Sequence, residues 1–178
     1  MPKISSTREY LEPEEIEHII SKCPVPFNLL IEALYSTGSR ISELLAVTPG
    51  DIDFKNGEVW MPALKRREVQ RKHASVSIKT ASKLQEYCKG KPVNQKLFPW
   101  TRQQCYYWLR LAADKAHVKG AYLHLLRHSL ATHWALKGGD LTILQRQLGH
   151  KRLSTTTDRY VRYAAKDLQN ERMRLGLD

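Results

Sequence analysis

His124-Leu-Leu-Arg127-His128-Ser-Leu-Ala-Thr-His133, followed by Gln147-Leu-Gly-His150 and Ser154-Thr-Thr-Thr157, is the run from which the rest of this sequence can be read. Its first part has helical spacing from about His124 to Lys137 and stops at Gly138-Gly139. Leu126, Leu130 and Trp134 form one apolar stripe, expected to face the core. His124, Arg127, His128 and Ala131 share a second stripe, so His124 and Arg127 project together one turn apart. Ala131 leaves space beside them for a bulky anion. Taken alone, the second stripe is equally readable as a solvated basic face. A zinc site is a poorer reading, because the glutamate of HExxH is missing and His133 lies on a different face from His128.

Outward from this run, Asp140 is a good N-cap for a helix from Leu141 to Leu148, and Thr101 to His117 reads as a long amphipathic helix. Upstream, Leu11-Glu-Pro-Glu-Glu opens a helix with proline in its first turn and carboxylates at the positive dipole end. Leu30, Ala33, Leu34 and Thr37 place a second helix over Phe27 to Ser36. Gly38 interrupts it, and Ile41, Leu44 and Leu45 resume the pattern until Pro49-Gly50. Val59 to Met61 and Ala74 to Ile78 read as two short strands, with Thr80 to Lys89 helical after them. The hairpin between the strands, Lys65-Arg-Arg-Glu-Val-Gln-Arg-Lys72, carries five positive charges, which are either simply solvated or in contact with a phosphate backbone. Ser154 caps a further short helix, and Ala164 to Arg174 forms another. The sum is mainly α with a small antiparallel sheet, an α+β domain filling residues 1–178.

Composition narrows the class of partner. Lys and Arg number 29 against 18 Asp and Glu, a net charge of +11, which favours a polyanion such as DNA or RNA. The aromatic stacking motifs of common RNA modules are absent. The cysteines, Cys23, Cys88 and Cys105, are scattered and odd in number, as expected of reduced thiols, and no disulfide framework or zinc knuckle emerges. No apolar run marks a signal peptide or a membrane span, so the expectation is a soluble cytoplasmic protein.

Taken together and in order, Gly38-x-Arg40-x-x-Glu43-Leu44, a lysine on a β-hairpin, His124-x-x-Arg127-His128, Leu148-Gly149-His150 and a downstream tyrosine resemble the tyrosine recombinases, or phage integrases. The resemblance runs from about Leu11 to Tyr163 and is most specific between His124 and Tyr160. It implies the catalytic-domain fold of that family and a metal-independent, cofactor-free cleavage and rejoining of double-stranded DNA.

Residue by residue, the resemblance makes Arg40 and Arg127 the pair that grips the scissile phosphate. His124 becomes the proton acceptor from the nucleophile, and His150 a hydrogen-bond donor to the phosphate. Glu43 supports the first arginine, and His128 is grouped with it as a supporting residue. Lys65 is the general acid for the departing 5′-oxygen, with Lys72 as the alternative. Tyr160 is the nucleophile, ten residues after His150. Its product would be a 3′-phosphotyrosine with a free 5′-hydroxyl, and strand exchange would pass through a Holliday junction. DNA-backbone contacts are assigned to Arg66, Arg67, Arg71, Lys72, Arg102 and Arg110. The Thr101 to His117 helix, with Arg102, Gln103, Gln104 and Arg110, is either a base-reading element or a solvated face.

The family's N-terminal core-binding domain has no counterpart here, as in the fimbrial phase-variation recombinases; the chain is a natural short form or an excised piece. The resemblance also implies a homotetramer on paired sites, with residues 164–178 as the segment exchanged between subunits, and a monomer or weak dimer when free. Location would be cytoplasmic, and nucleoid-associated when DNA is bound. The competing reading is a non-cleaving regulator or accessory factor of the same fold.

Overall fold

A computed structural model describes residues 8–62, 71–149, 172, 173 and 176. In order, the described elements are α1 (Pro13–Lys22), α2 (Phe27–Thr37), α3 (Ile41–Leu44), a 3-10 turn (Pro49–Asp51), β1 (Ile52–Asp53), β2 (Glu58–Pro62), β3 (Arg71–Ser75), α4 (Ile78–Cys88), α5 (Arg102–Lys115), α6 (Leu123–Leu136) and α7 (Leu141–Leu148). The sheet is antiparallel in the order β1-β2-β3, with Val59 opposite Ile52 on one side and Ala74 on the other.

Local chemistry sets most boundaries. Pro13 occupies the first turn of α1, whose Glu15 reaches back to the Glu12 N–H. Ser77 caps α4 by accepting from the Thr80 N–H, Thr101 caps α5 by accepting from Gln104, and Asp140 caps α7 by accepting from Thr142 and Ile143. The Ser77 cap also corrects the expected strand from Ala74 to Ile78. The strand occupies Arg71–Ser75, and Ile78 already belongs to α4. β1 was too short for its two residues to show alternation in the sequence.

The core holds Leu30, Ile31 and Leu34 of α2, Leu84 of α4, Leu109 of α5, Leu125 and Leu126 of α6, and Leu97 and Phe98 from the α4–α5 connection, all essentially without solvent exposure. Each such side chain contributes roughly 1.5–3 kcal/mol of burial free energy, before the entropy that opposes it.

A single apolar stripe does not describe α6. Leu125, Leu126, Arg127, Ser129, Ala131, Thr132, His133 and Ala135 are all buried, while Leu130 and Trp134 are only half-buried. The physical reason is position: α6 packs against α2, α5 and α7 and so is enclosed around most of its girth. His133 sits away from His124 and His128, with its Nδ1 2.7 Å from the Tyr35 hydroxyl and its ring edge against Tyr10. All three cysteines are free thiols. Among the described residues, no helix is long and apolar enough to cross a membrane.

Candidate nucleic-acid cleavage site

The α2–α3 corner places the first arginine. Gly38 ends α2 with φ +59°, a left-handed conformation that costs a side chain about 1–2 kcal/mol. A Cβ there would also lie 2.7 Å from Leu130 and 2.9 Å from Leu148, so the corner is pressed onto α6 and α7. Arg40 follows with extended backbone at the N-cap of α3. Glu43, one turn on, accepts from the Arg40 backbone N–H at 3.0 Å and from its guanidinium at 2.7 Å. This bidentate hold fixes the root and the head of Arg40 together.

Glu43 is buried and also faces Lys72 of β3, whose ammonium lies 3.4 Å away and whose side chain is only 8% exposed. Lys72 had been assigned to the exposed basic hairpin. Its position on the inward side of β3 instead carries it into the interior, where its aliphatic stem lies against Gly149. Gly149 has φ +68°, and an added Cβ would lie 2.8 Å from Lys72 Cδ, so only glycine leaves room for that stem.

These charges tune one another. Burial would raise the Glu43 pKa, but the charge of Lys72 and the hydrogen bonds and charge of Arg40 hold it below the ordinary glutamate value. Burial pushes the Lys72 amine down to about 8, with the charges of Arg127 and Arg40 acting in the same direction against the opposing pull of Glu43.

Arg127 is 2% exposed, far from the solvated face that its stripe alone would allow. Its guanidinium donates to the Gly38 carbonyl at 2.6 Å and to the Leu148 carbonyl at 2.9 Å. One planar fork therefore ties the start of the Arg40 corner to the end of α7. His124, in the first turn of α6, is exposed, and its ring meets His128 edge-on at 4.7 Å. Arg40 and His124 open onto one cleft of about 910 Å³, which Ser42, Arg102, Gln103, Tyr106 and Tyr122 also line.

Of the residues singled out from sequence, Arg40, Glu43, Lys72 and Arg127 thus form one charged cluster, with His124 and Arg102 along the adjoining cleft. Arg71 lies elsewhere, its guanidinium 2.9 Å from Asp51. Arg110 is exposed on α5. Lys65, Arg66, Arg67, His150 and Tyr160 lie outside the described residues. Tyr106 and Tyr122 were not foreseen at the cleft, nor Gln147 against Ser75 and Thr37. Gln147 did carry a signal, since it falls with Leu144 and Leu148 on the buried stripe of α7.

Comparison with known proteins settles the family and the fold. The model of the family described as "Phage integrase family" matches residues 9–167. The chain belongs to the phage integrase family. Tyrosine recombinase XerA of Saccharolobus solfataricus is 32% identical over 162 residues, which cover 90% of this chain and 54% of that protein. This integrase-family chain spans about half the length of the curated relatives it matches. In structure it resembles the catalytic domain of bacteriophage HP1 integrase, with a TM-score of 0.72, 22% identity and 93% of each chain covered. It also resembles the XerH site-specific recombinase bound to difH substrate in a pre-cleavage complex, with a TM-score of 0.72, 23% identity, and 94% of this chain and 54% of that one covered. The fold is therefore that of the family's catalytic domain, helical with a small antiparallel sheet, as the sequence led one to expect, β1 adding a third strand to the two read there.

Proposed function

We propose that the chain is the catalytic domain of a tyrosine site-specific recombinase, which cuts and rejoins duplex DNA through Tyr160. The observation that carries this reading is the convergence of Arg40 and Arg127. They come from different helices, and the Arg127 fork grips the carbonyl of Gly38, two residues before Arg40. The cleft beside Arg40 also holds His124.

Attack on a phosphodiester builds negative charge on a five-coordinate phosphorus. Two guanidinium groups held rigidly before the reaction stabilise that charge without having to reorganise. In this reading His124 takes the Tyr160 proton, since a phenol with a pKa near ~10 needs both a base and a positive surrounding to attack at neutral pH. His150 donates a hydrogen bond to the phosphate. A lysine protonates the leaving 5′-oxygen. The new P–O bond to tyrosine replaces the broken P–O bond to the sugar, so a second 5′-hydroxyl can reverse the step without an external energy source. Strand exchange through a Holliday junction follows from two such reversals.

Lys65 is proposed as that acid. Lys72 is a second reading, favoured by its place in the Glu43–Arg40–Arg127 cluster and by its lowered pKa, which makes it the readier proton donor. In this reading the partner is double-stranded DNA; the XerH relative is bound to its difH substrate. Assembly as a homotetramer on paired sites, with residues 164–178 passed between subunits, belongs to the same proposal.

The deciding test is a nicked suicide substrate. Wild-type protein should accumulate a covalent DNA adduct, and Tyr160→Phe should form none at all. Adducts that persist in Tyr160→Phe would remove the nucleophile assignment. Binding without adducts in the wild type would favour a non-cleaving regulator of the same fold.

A further inference from the structure

Among the described residues β3 is an edge strand, and its outer edge would leave the Ser75 N–H and C=O without strand partners there. Ser75 stands opposite Glu58, next to the pair in which the Val76 N–H donates to the Gly57 carbonyl at 2.8 Å, so the Ser75 groups point outward. The side chain of Gln147 meets them there. Its oxygen accepts from the Ser75 N–H at 2.9 Å and from the Ser75 hydroxyl at 3.1 Å. Its nitrogen donates to the Ser75 carbonyl at 2.7 Å. A carboxamide has the donor and acceptor of a peptide unit, and here it takes the place of a neighbouring strand.

The same nitrogen also donates to the Thr37 carbonyl at 3.1 Å and approaches the Ser36 carbonyl at 3.4 Å. One buried amide from α7 therefore joins the end of β3 to the end of α2. Both are roots of the cluster: Lys72 lies three residues before Ser75, and Arg40 three residues after Thr37. The next residue along α7, Leu148, presents the carbonyl that holds Arg127.

We propose that Gln147 is a positioning residue for DNA cleavage. By clasping β3 and the α2 C-terminus to α7, it fixes where the Leu148 carbonyl meets Arg127 and where Lys72 meets Glu43. It touches no substrate and acts through those residues. The inference rests on reading the chain as a recombinase, and the experiment keeps the two separable.

The test uses the full chain with Gln147→Leu and Gln147→Glu. In Gln147→Leu, single-turnover cleavage of a suicide substrate should fall at least tenfold. DNA affinity should stay within twofold, because phosphate contacts elsewhere are untouched, and the melting transition should remain above the assay temperature. Cleavage within twofold of wild type would overturn the proposal. So would a cleavage defect that tracks the unfolded fraction as temperature is changed.

In Gln147→Glu, the ionised carboxylate has no donor for the Ser75 and Thr37 carbonyls, whereas its protonated form regains one. The ratio of its cleavage rate to that of wild type should therefore rise as pH is lowered, and a flat ratio would count against the clasp. Amide exchange at Ser75 needs no activity, and it should accelerate at least tenfold in Gln147→Leu. If wild-type protein forms no Tyr160-dependent adduct, the functional reading fails while Ser75 exchange still decides the clasp.

Discussion

Replacing Glu43 by glutamine isolates the charge that holds the cluster together. The carboxylate is 6% exposed and receives the Arg40 backbone, the Arg40 guanidinium and the Lys72 ammonium at 3.0, 2.7 and 3.4 Å. Removing one partner of a buried ion pair costs about 3–5 kcal/mol, because the other charge is left uncompensated. The Arg40 share is discounted, since that guanidinium is about one-third exposed and screened by water. Lys72 also has an escape: with a pKa of about 8, losing its proton at pH 7 costs only ~1.4 kcal/mol. Without Glu43, its main upward influence is gone and the neutral form becomes cheaper still. The expected loss is therefore at the low end, about 3 kcal/mol, a large part of the ~5–15 kcal/mol that holds a domain folded.

Lys72→Met in the Glu43→Gln background should cost less than in wild type, because the stranded cation is then removed. A double-mutant cycle by urea unfolding at pH 7 and fixed salt should give a coupling of at least ~1 kcal/mol. A coupling below ~0.3 kcal/mol, or a Glu43→Gln loss under ~1 kcal/mol, would refute the reasoning. The pH dependence has a definite sign. Between pH 8 and the ordinary lysine value, the unfolded chain binds more protons at Lys72 than the native one, so this group makes stability rise with pH there. Glu43→Gln should extend that rise to lower pH.

Two further outcomes are expected. On a 5′-bridging phosphorothiolate substrate, whose leaving group needs no protonation, Lys65→Ala should recover most of its lost cleavage rate; recovery by Lys72→Ala instead would transfer the acid role to the buried lysine. In salt titrations of duplex binding, Arg102→Ala should lower the slope of log K against log salt by about 1, as expected for one lost phosphate contact. Arg71→Ala should leave that slope unchanged, because its guanidinium is committed to Asp51, and a drop equal to that of Arg102→Ala would sink the distinction.

Much of the fold was legible because its signals are local. The Asp140 cap marks the start of α7, Leu141–Leu148, without reference to anything else. The start of α4 was misjudged because Ala74 to Ile78 alternates like a strand, while the Ser77 cap that competes with it acts through one hydroxyl. The candidate site divides in the same way. Arg40 with Glu43 is a contact one helical turn long and is visible in the sequence; Lys72 with Glu43 spans 29 residues and is not.

What the sequence determined by itself is the inventory: the caps, breaks and periodicities of a mainly helical chain with a small sheet, a positive charge of +11, and the ordered motif of an integrase. Tertiary structure alone decided which of the many basic residues are buried. Arg127 and Lys72 look no different from their exposed neighbours along the chain, since exposure depends on what packs across from a residue. α7 closing over β3 and the α2 corner encloses both, and a charge enclosed without water must find fixed partners. Those partners, the Gly38 and Leu148 carbonyls and the Glu43 carboxylate, turn a basic sequence into an aimed set of cations.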